Sequence, residues 1–425
     1  MNSQTRVIDK ATLGNPSTPF DVIVVGGGPS GSTAAEKLAE AGWFVALLDK
    51  AGRIKPCGGA VPPRLIRDFE IPNEQIVARI KGARIVSPSK RVVDMPIEDG
   101  YVGMVDRDKF DEYLRDRAAQ SGAVRLTGKL IGIDRQADGG CDGQTQLVGA
   151  KFVDKNKQEH VVWAQRVIGA DGALSSVRRF GAPELGTPKS VFAYHEVIEA
   201  PADNDDGRPY QADRCDIHYT GELSPDFYSW VFPHGKSVSV GTGSANKGFS
   251  LRGAVKELRA RNQLDTKTIR CEGAPIPMQP LKRWDNGQDI LLAGDAAGVV
   301  APASGEGIYY AMLSGELAAE AVGESLKQQK PKLLKQARSR FMKEHGRVFW
   351  ILGIMQRFWY GSDKMRERFT SMCADEDVQR LTWQAYMEKK LVRRSFKAHM
   401  RIFVKDVAHL LQMVSPYHGY DKRKT

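Results

Sequence analysis

Three glycines near the N-terminus have the spacing of a loop that binds a dinucleotide. They follow one apolar run and precede a helical stretch, and Asp49 lies at the end of the next apolar run. Glycines in this context let the backbone approach a pyrophosphate at the positive end of a helix, and the aspartate accepts hydrogen bonds from a ribose. Because a carboxylate repels a 2′-phosphate, the site favours FAD or NAD over NADP. The residues predicted to form it are Gly26, Gly28, Pro29, Ser30, Gly31, Asp49 and Lys50.

A second candidate site is a row of aromatic residues between two prolines. In the stretch 225–233, Tyr228, Trp230 and Phe232 occupy every second position. In an extended strand these rings point to one face, where they offer a wall to a long apolar ligand. Packing in the core of a sheet is the alternative interpretation. We predict that the three rings and Pro233 bind substrate.

The pattern around these residues predicts an α/β fold. The β-branched run 20–25 is typical of a buried parallel strand, and a helical stretch at 32–41 and a second run at 44–48 complete a βαβ unit. Short apolar runs at 165–169 and 289–293 predict that the nucleotide domain is assembled from distant segments. Alternating runs predict an inserted antiparallel sheet, with strands at 191–198, 214–219, 227–232 and 237–243.

The composition is that of an ordinary folded protein, with 41% hydrophobic and 27% charged residues. The formal charge of +11 is concentrated in residues 326–425, where 23 Lys and Arg oppose 9 Asp and Glu. This excess suits an anionic membrane surface or a solvated charged face, and we predict no nucleic-acid partner. Five scattered cysteines predict reduced thiols and no metal site. We expect a cytoplasmic protein without a signal peptide or a transmembrane helix.

Two further motifs resemble the second and third signatures of the flavoprotein family that includes the aromatic hydroxylases. They are the segments 170–178 and 292–298. The resemblance implies FAD as cofactor. It also implies that the helix beginning near 305–307 points its N-terminus at the flavin ring, where the helix dipole stabilises negative charge on the reduced flavin. Arg107 matches another flavin-contacting position, with a helix-surface arginine as the alternative. The cofactor residues implied are Arg107, Asp171, Gly172, Gly294, Asp295, Gly305, Gly307 and Ile308.

Three segments are similar to geranylgeranyl reductases, and this resemblance covers nearly the whole chain. They are 55–60, the aromatic stretch 225–233, and 302–311. The resemblance implies reduction of three double bonds of a geranylgeranyl group to give phytyl. The substrate would be (bacterio)chlorophyll a or geranylgeranyl diphosphate, and the electron donor NADPH, with reduced ferredoxin as an alternative.

The segment 55–60 is the source of further predicted cofactor contacts. Its two glycines allow the backbone to lie close against a flavin. The residues it contributes are Cys57, Gly58, Gly59 and Ala60.

The implied reaction needs a proton donor as well as a hydride. An isolated trisubstituted alkene is a poor hydride acceptor, so protonation of the partner carbon must accompany hydride transfer. Cys57, Tyr228 and Glu306 are the predicted candidates for this catalytic role. For Cys57, an inert packing group is the alternative.

Two rival functions stay open from the sequence. One is an FAD-dependent aromatic-type monooxygenase, which we disfavour because hydroxylases of the wider family usually have His at the position of Gly298. The other is a non-enzymatic, flavin-bearing, membrane-associated protein.

The C-terminal region has the pattern of an interfacial helix. Its apolar face comprises Phe396, Met400, Phe403, Val407, Leu410 and Val414. Its basic stripe comprises Arg394, Lys397, Arg401 and Lys405. We predict peripheral contact with a photosynthetic membrane through these basic helices. The apolar stretch 348–360 is predicted to cap the prenyl groove or to dip into lipid, with a helical core as the alternative.

The predicted architecture is a Rossmann-type FAD-binding domain of the aromatic-hydroxylase type, with an inserted antiparallel-sheet substrate domain and a C-terminal helical region. Residues 1–19 form a polar tail. The predicted FAD-binding domain comprises 20–185 and 270–325, of which 61–100 contributes to the substrate domain; the substrate domain is 186–269 and the basic helical domain 326–425.

Overall fold

A computed structural model describes residues 15–50, 52, 54–136, 146–202 and 209–389. The chain forms two compact units. Unit 1 comprises Met1–Ile54, Arg107–Ser190 and Pro275–Phe349. Unit 2 comprises Lys55–Asp106, Val191–Ala274 and Trp350–Thr425.

Strands and helices are interspersed up to about residue 300, and the elements of the described residues after that point are helical. The strands are β1 (Phe20–Val25), β2 (Val45–Asp49), β3 (Ala60–Val61), β4 (Ala78–Ile80), β5 (Gly82–Val86), β6 (Val92–Pro96), β7 (Val102–Met104), β8 (Val124–Thr127), β9 (Lys129–Arg135), β10 (Val148–Val153), β11 (Glu159–Gly169), β12 (Ser190–Glu199), β13 (Arg214–His218), β14 (Ser229–His234), β15 (Ser237–Ser244), β16 (Thr268–Pro277) and β17 (Ile290–Leu292). The α-helices are α1 (Pro29–Glu40), α2 (Pro63–Asp68), α3 (Arg107–Gln120), α4 (Ser176–Gly181), α5 (Leu251–Arg261), α6 (Ile308–Lys327), α7 (Gln336–Trp359), α8 (Asp363–Met372) and α9 (Glu376–Glu388). Short 3₁₀ helices lie at Asn73–Gln75, Pro183–Leu185, Gly294–Ala297 and Pro331–Lys335.

The sheet of unit 1 has seven strands in the order β8-β2-β1-β11-β10-β9, with β17 also paired to β11. Strands β1, β2, β8, β11 and β17 run parallel, whereas β10 pairs antiparallel both with β9 and with the first half of β11. At the centre, Val24 lies beside Leu47 and Ile168. The β-branched run of β1 is buried, as expected for a central parallel strand.

The predicted βαβ unit is confirmed. Strand β1 has the predicted bounds, and α1 and β2 follow it within a few residues of their predicted positions. The runs predicted at 165–169 and 289–293 are confirmed as the end of β11 and as β17. In the sheet of unit 1, β11 lies beside β1, and β17 pairs with β11.

The larger sheet of unit 2 also has seven strands, in the order β16-β12-β15-β14-β13-β5-β6. The predicted alternating strands are confirmed as β12, β13, β14 and β15, although β14 begins at Ser229 and not at Phe227. The later start has a local cause. The hydroxyl of Ser224 accepts a hydrogen bond from the backbone N–H of Phe227 and donates to the carbonyl of Gly243, which holds a turn ahead of the strand.

The two faces of this sheet have different characters. One face packs on α5 in an apolar core that contains Val231, Val238 and Val240 together with Val255 and Leu258 of the helix. Because side chains alternate along a strand, Trp230 and Phe232 of β14 point to the opposite face. We call this second side of the sheet the ring face.

A small sheet of three strands, in the order β3-β7-β4, completes the β-structure of unit 2. Its residues Ile80, Val102 and Met104 form a cluster with Cys215, against which Phe232 packs. Helix α9 contributes Trp383 and neighbouring side chains to the same cluster.

The predicted interfacial helix at 394–414 lies outside the described residues. Within the described ranges, no helix has the length and apolar character needed to cross a bilayer. The domain boundaries given above remain a prediction.

Candidate functional site

The glycine loop of unit 1 is shaped by contacts with backbone atoms. A methyl group built on Gly31 would lie 1.8 Å from the carbonyl oxygen of Gly26, so only glycine lets α1 approach the end of β1 this closely. Gly26 itself has φ +105°, and a methyl group there would lie 2.4 Å from the carbonyl oxygen of Ala170. The loop therefore needs both glycines for its local geometry.

Asp49 positions this loop from the end of β2. Its Oδ2 accepts a hydrogen bond of 2.7 Å from the backbone N–H of Gly27. Gly27 makes a second contact, in which its carbonyl accepts a hydrogen bond of 3.0 Å from the guanidinium of Arg115. Arg115 lies two turns after Arg107 on α3 and was not predicted from the sequence, although its helical spacing from Arg107 was an available signal.

The N-terminus of α1 fits an anionic group. Pro29 is its first residue, and no side chain caps the helix, so its first N–H groups keep their capacity to bind an anion. The Oγ of Ser30 is buried and has no hydrogen-bond partner within the described residues. At Gly28 an added methyl group would find its nearest neighbours only at 3.9 Å and 4.0 Å, in Arg107 and Asp111. This open cradle with an orphaned hydroxyl suits the pyrophosphate of a dinucleotide.

Arg107 is not a surface arginine. It is the first residue of α3, it is 6% exposed, and its guanidinium forms two hydrogen bonds, of 2.7 and 2.8 Å, with the carboxylate of Asp111. The bidentate pair holds the arginine beside Gly28. The alternative interpretation of Arg107 as a helix-surface residue is therefore wrong.

Asp171 caps the start of α4. Its Oδ2 accepts hydrogen bonds from the backbone N–H groups of Ser176 and Val177, at 2.5 and 3.1 Å. Burial raises the pKa of the Asp171 carboxyl above its ordinary value. The neighbouring Gly172 has φ +86°, and no atom lies within 4 Å of a methyl group added there. Glycine is therefore favoured at this position by the left-handed backbone conformation and not by close packing.

Arg178 ties this segment to the third motif. Its guanidinium donates to the carbonyls of Ala173 and Ala296, each at 3.0 Å. Gly294 and the buried Asp295 belong to the 3₁₀ turn that contains Ala296. The second and third motifs are thus joined by a buried arginine that the sequence analysis treated only as the end of a motif.

The turn ends at Gly298 in a left-handed conformation with φ +80°. A methyl group there would lie 2.4 Å from the carbonyl oxygen of Gln279. The local backbone therefore excludes the histidine that hydroxylases of the wider family usually have at this position.

Helix α6 begins at Ile308, with Gly307 as its N-cap residue and no side-chain cap. The predicted start near 305–307 is confirmed. Gly305 has φ +65°, and the predicted proton donor Glu306 precedes the cap. Lys50 is exposed at the end of β2, and its predicted cofactor contact remains a prediction.

The aromatic residues of unit 2 form one continuous row. The ring centroids of Tyr228 and Trp230 lie 6.0 Å apart, and those of Trp230 and Phe232 lie 6.3 Å apart. Tyr228 and Trp230 are buried and Phe232 is half-buried. The alternation of β14 places Pro233 on the α5 side with Val231, so Pro233 does not share the ring face.

The predicted loop around Cys57 lies directly on this row. A methyl group on Gly58 would lie 2.9 Å from the Phe232 ring, and one on Gly59, which has φ +71°, would lie 2.4 Å from the His234 ring. The Sγ of Cys57 accepts a hydrogen bond of 3.3 Å from the N–H of Gly59. These contacts place Cys57 at the Phe232 end of the aromatic row.

His234 holds the loop and was not among the residues predicted from the sequence. It follows Tyr228, Trp230 and Phe232 at the same two-residue spacing, and this pattern in the sequence indicated that it shares their face of the strand. Its Nε2 lies 3.2 Å from the carbonyl oxygen of Gly58, and its Nδ1 lies 3.3 Å from a carboxylate oxygen of Asp106. The N–H of Val105 donates to the carbonyl of Gly59 at 2.9 Å, and Ala60 then enters β3 opposite Met104.

The structure therefore assembles the predicted residues into two groups, one in each compact unit. The dinucleotide cradle of unit 1 contains the glycine loop, Asp49, Arg107 and the Gly294–Ala297 turn. The ring face of unit 2 contains the aromatic row and the Cys57 loop. Within the described residues, no group of His, Cys, Asp and Glu has the arrangement of a metal site, and Cys57, Cys215, Cys271 and Cys373 are free thiols.

This fold and this cradle define a flavoprotein of the Rossmann type. Residues 79–344 match the family model of the FAD binding domain, and residues 24–90 match that of the NAD(P)-binding Rossmann-like domain. These matches support FAD and a nicotinamide cofactor. The predicted fold class is confirmed.

The chain belongs to the geranylgeranyl reductase family. It is 54% identical over 399 residues to the geranylgeranyl diphosphate reductase of Rhodobacter capsulatus, covering 93% of this chain and 99% of that protein. It is 34% identical over 405 residues to the geranylgeranyl diphosphate reductase of Synechocystis, covering 92% and 98%. The predicted resemblance is confirmed, and the protein is an FAD-dependent oxidoreductase of this family.

Solved structures share the fold. A geranylgeranyl bacteriochlorophyll reductase-like protein from Thermoplasma acidophilum superposes with a TM-score of 0.72 at 24% identity, covering 93% of this chain and 98% of that chain. The flavin-dependent brominase Bmp2 superposes with a TM-score of 0.70 at 18% identity, covering 93% and 100%. At these identities the likeness is one of fold.

Proposed function

We propose that the protein reduces the geranylgeranyl tail of (bacterio)chlorophyll a, or geranylgeranyl diphosphate, to the phytyl form. Three double bonds are hydrogenated, with NADPH as the source of electrons. The observation that carries this proposal is the 54% identity to a geranylgeranyl diphosphate reductase over nearly the full length of both chains.

The cradle in unit 1 is the proposed cofactor site. The glycine loop and the N-terminus of α1 would hold the pyrophosphate of FAD, and Asp49 and Arg107 flank it. When bound and reduced by NADPH, FAD would supply the hydride that an alkene carbon receives. Helix α6 begins without a side-chain cap, so its dipole is available to stabilise negative charge near its N-terminus.

The ring face of unit 2 is the proposed binding surface for the isoprenoid. Tyr228, Trp230 and Phe232 form a contiguous aromatic row, buried at Tyr228 and Trp230 and half-buried at Phe232, whose character suits a long apolar chain without hydrogen-bonding groups. Aromatic faces also stabilise the positive charge that develops on a tertiary carbon when the alkene is protonated. The row therefore serves both binding and the reaction.

The proton donor is proposed to be Cys57, Tyr228 or Glu306. Cys57 has the most direct structural support, because its loop packs on Phe232 and His234 at one end of the row. The N–H of Gly59 points at the sulfur and stabilises it when the thiol has given up its proton.

Peripheral membrane contact is part of the proposal. Helix α7 carries three exposed apolar side chains at four-residue spacing: Trp350 is 67%, Ile354 41% and Phe358 51% exposed. Arg347 and Arg357 are also exposed on this helix. Exposed rings beside basic residues suit the interface of an anionic bilayer, where a pigment with a prenyl tail resides.

Substrate and donor preference can be tested with the FAD-loaded protein under anaerobic conditions. Geranylgeranyl diphosphate and geranylgeranylated bacteriochlorophyll are offered separately, each with NADPH, NADH or reduced ferredoxin. The proposal expects NADPH to reduce the flavin and one of the two prenyl substrates to reoxidise it. Reoxidation only by oxygen, with neither prenyl compound accelerating it, would contradict the proposal.

A further inference from the structure

Trp230 is the end of a buried chain of hydrogen bonds. Its indole Nε1 donates to the hydroxyl of Ser239 at 3.1 Å, and that hydroxyl lies 2.9 Å from Nδ1 of His195. The other ring nitrogen of His195, Nε2, lies 3.0 Å from a carboxylate oxygen of Glu272. Trp230, Ser239 and His195 are 5%, 2% and 3% exposed, so water does not compete for the bonds among these three residues, whereas Glu272 is only partly buried.

The chemistry of the groups fixes the direction of each bond. An indole N–H only donates, so the oxygen of Ser239 accepts from Trp230. A carboxylate only accepts, so Nε2 of His195 carries a proton. Among the neutral forms of His195, this leaves Nδ1 as an acceptor, to which the hydroxyl of Ser239 donates. In this arrangement the indole N–H of Trp230, the hydroxyl of Ser239 and both ring nitrogens of His195 each have a partner.

Packing leaves the indole little freedom. A methyl group on Gly241 would lie 2.2 Å from Cζ2 of Trp230 and 2.7 Å from Cβ of His195. The ring therefore lies directly on the backbone of β15, in the space that a glycine provides. Glu272 is held in turn by Arg270, whose Nε lies 3.1 Å from its second carboxylate oxygen. Four strands, β12, β14, β15 and β16, thus contribute to the position of one ring.

We propose that Ser239 and His195 are positioning residues that fix the indole of Trp230 in the isoprenoid-binding wall. The inference rests on the proposed function, since that function makes the ring face the substrate site. A ring held by a buried donor and acceptor is preorganised for an apolar ligand, and its loss weakens binding more than it slows the reaction. Neither residue touches the substrate.

The test is a mutant cycle between Ser239 and Trp230. The Ser239→Ala variant removes the acceptor, and we expect the KM for the prenyl substrate to rise about 2- to 10-fold, as for one lost hydrogen bond, with kcat within about twofold. Ser239→Thr keeps the hydroxyl and restores the KM. Ser237→Ala, two residues earlier on the same strand, is the matched control and leaves the KM unchanged.

Phenylalanine at position 230 lacks the N–H, so Ser239→Ala added to Trp230→Phe has no further effect on the KM. An equal effect of Ser239→Ala in both backgrounds, or no change in KM in the wild-type background, overturns the proposal.

A second measurement does not depend on catalysis. In the wild-type protein the indole N–H of Trp230, assigned by its absence in Trp230→Phe, exchanges slowly with deuterium, and ¹⁵N NMR finds His195 protonated at Nε2. In Ser239→Ala the exchange is about tenfold faster or more. A neutral His195 protonated at Nδ1, or unchanged exchange, overturns the inference. Absence of turnover with intact exchange protection would instead contradict only the proposed function.

Discussion

The Nε2 of His234 lies 3.2 Å from the carbonyl oxygen of Gly58, which joins the last residue of β14 to the loop that follows Cys57. This contact and the close approach of Gly59 to the same imidazole place a thiol beside a row of aromatic rings. The contacts of Gly58 and Gly59 with His234, Phe232 and Val105 anchor the loop that carries Cys57 at the end of the aromatic row. The loop therefore carries the proposed chemistry of unit 2.

Replacing Gly59 by alanine is expected to destabilise the protein by about 2–4 kcal/mol, because the new methyl group meets both the His234 ring and the carbonyl of Val105. Gly100 is a matched control, since its φ of +85° is also left-handed but no atom lies within 4 Å of an added methyl group. Gly100→Ala should cost only about 1 kcal/mol. Urea unfolding measures both, and equal losses would contradict the packing described for the loop.

Replacing Gly31 by alanine is expected to weaken FAD binding by at least roughly tenfold, equivalent to about 1.4 kcal/mol. The added methyl group would meet the backbone carbonyl of Gly26, and a backbone atom cannot move aside without displacing the loop from β1. Gly132→Ala, in β9, is the control because its nearest contact is a lysine side chain at 3.6 Å. Flavin fluorescence titration gives both affinities. Normal FAD affinity in Gly31→Ala would show that the loop does not hold the cofactor.

Much of this organisation could be predicted from the sequence. Strand β1 was predicted with its observed bounds because a continuous β-branched run has few alternatives to a buried parallel strand. The row of rings was predictable because a period of two fixes which side chains share a face.

Contacts between distant segments could not be predicted. Ser239 and His195 reach Trp230 only because β14, β15 and β12 are neighbours in the sheet. The turn at Ser224 that delays β14 depends on a carbonyl of β15. The face on which His234 lies could be predicted, since the residue continues the two-residue period of the rings. Its contact with Gly58 could not, because that contact depends on the path of a loop that is distant in the sequence.

The three candidate proton donors can be separated by substitution. For the residue that donates the proton, Cys57→Ala, Tyr228→Phe or Glu306→Gln should lower kcat about 100-fold or more, with FAD content unchanged. Cys271→Ser, which alters an exposed thiol, is the control for Cys57 and should be neutral. We expect the largest loss in Cys57→Ala. Full activity in all three variants would mean that the proton comes from another group.

Stability should depend on pH through His218. Burial, with a further contribution from the charge of Arg261, lowers the pKa of this histidine to about 4 from an ordinary value of 6.5. The folded state therefore favours the neutral ring, and the associated stability is present above about pH 6.5 and is lost as the pH falls towards 4.

Replacing His218 should make the free energy of unfolding depend less steeply on pH. Relative to His218→Asn, the wild-type protein should lose up to about 3 kcal/mol of unfolding free energy between neutral pH and about pH 4. Urea unfolding at a series of pH values measures this difference. Parallel curves for wild type and His218→Asn would contradict the assignment.

Mass spectrometry of the prenyl tail is the most direct test of whether the protein hydrogenates the geranylgeranyl group. The FAD-loaded protein is incubated anaerobically with NADPH and a geranylgeranyl substrate, and the tail is analysed over time. We expect successive gains of one hydrogen pair, ending after three additions at the phytyl form. A tail of unchanged mass, in a sample whose flavin is reduced by NADPH, would contradict it.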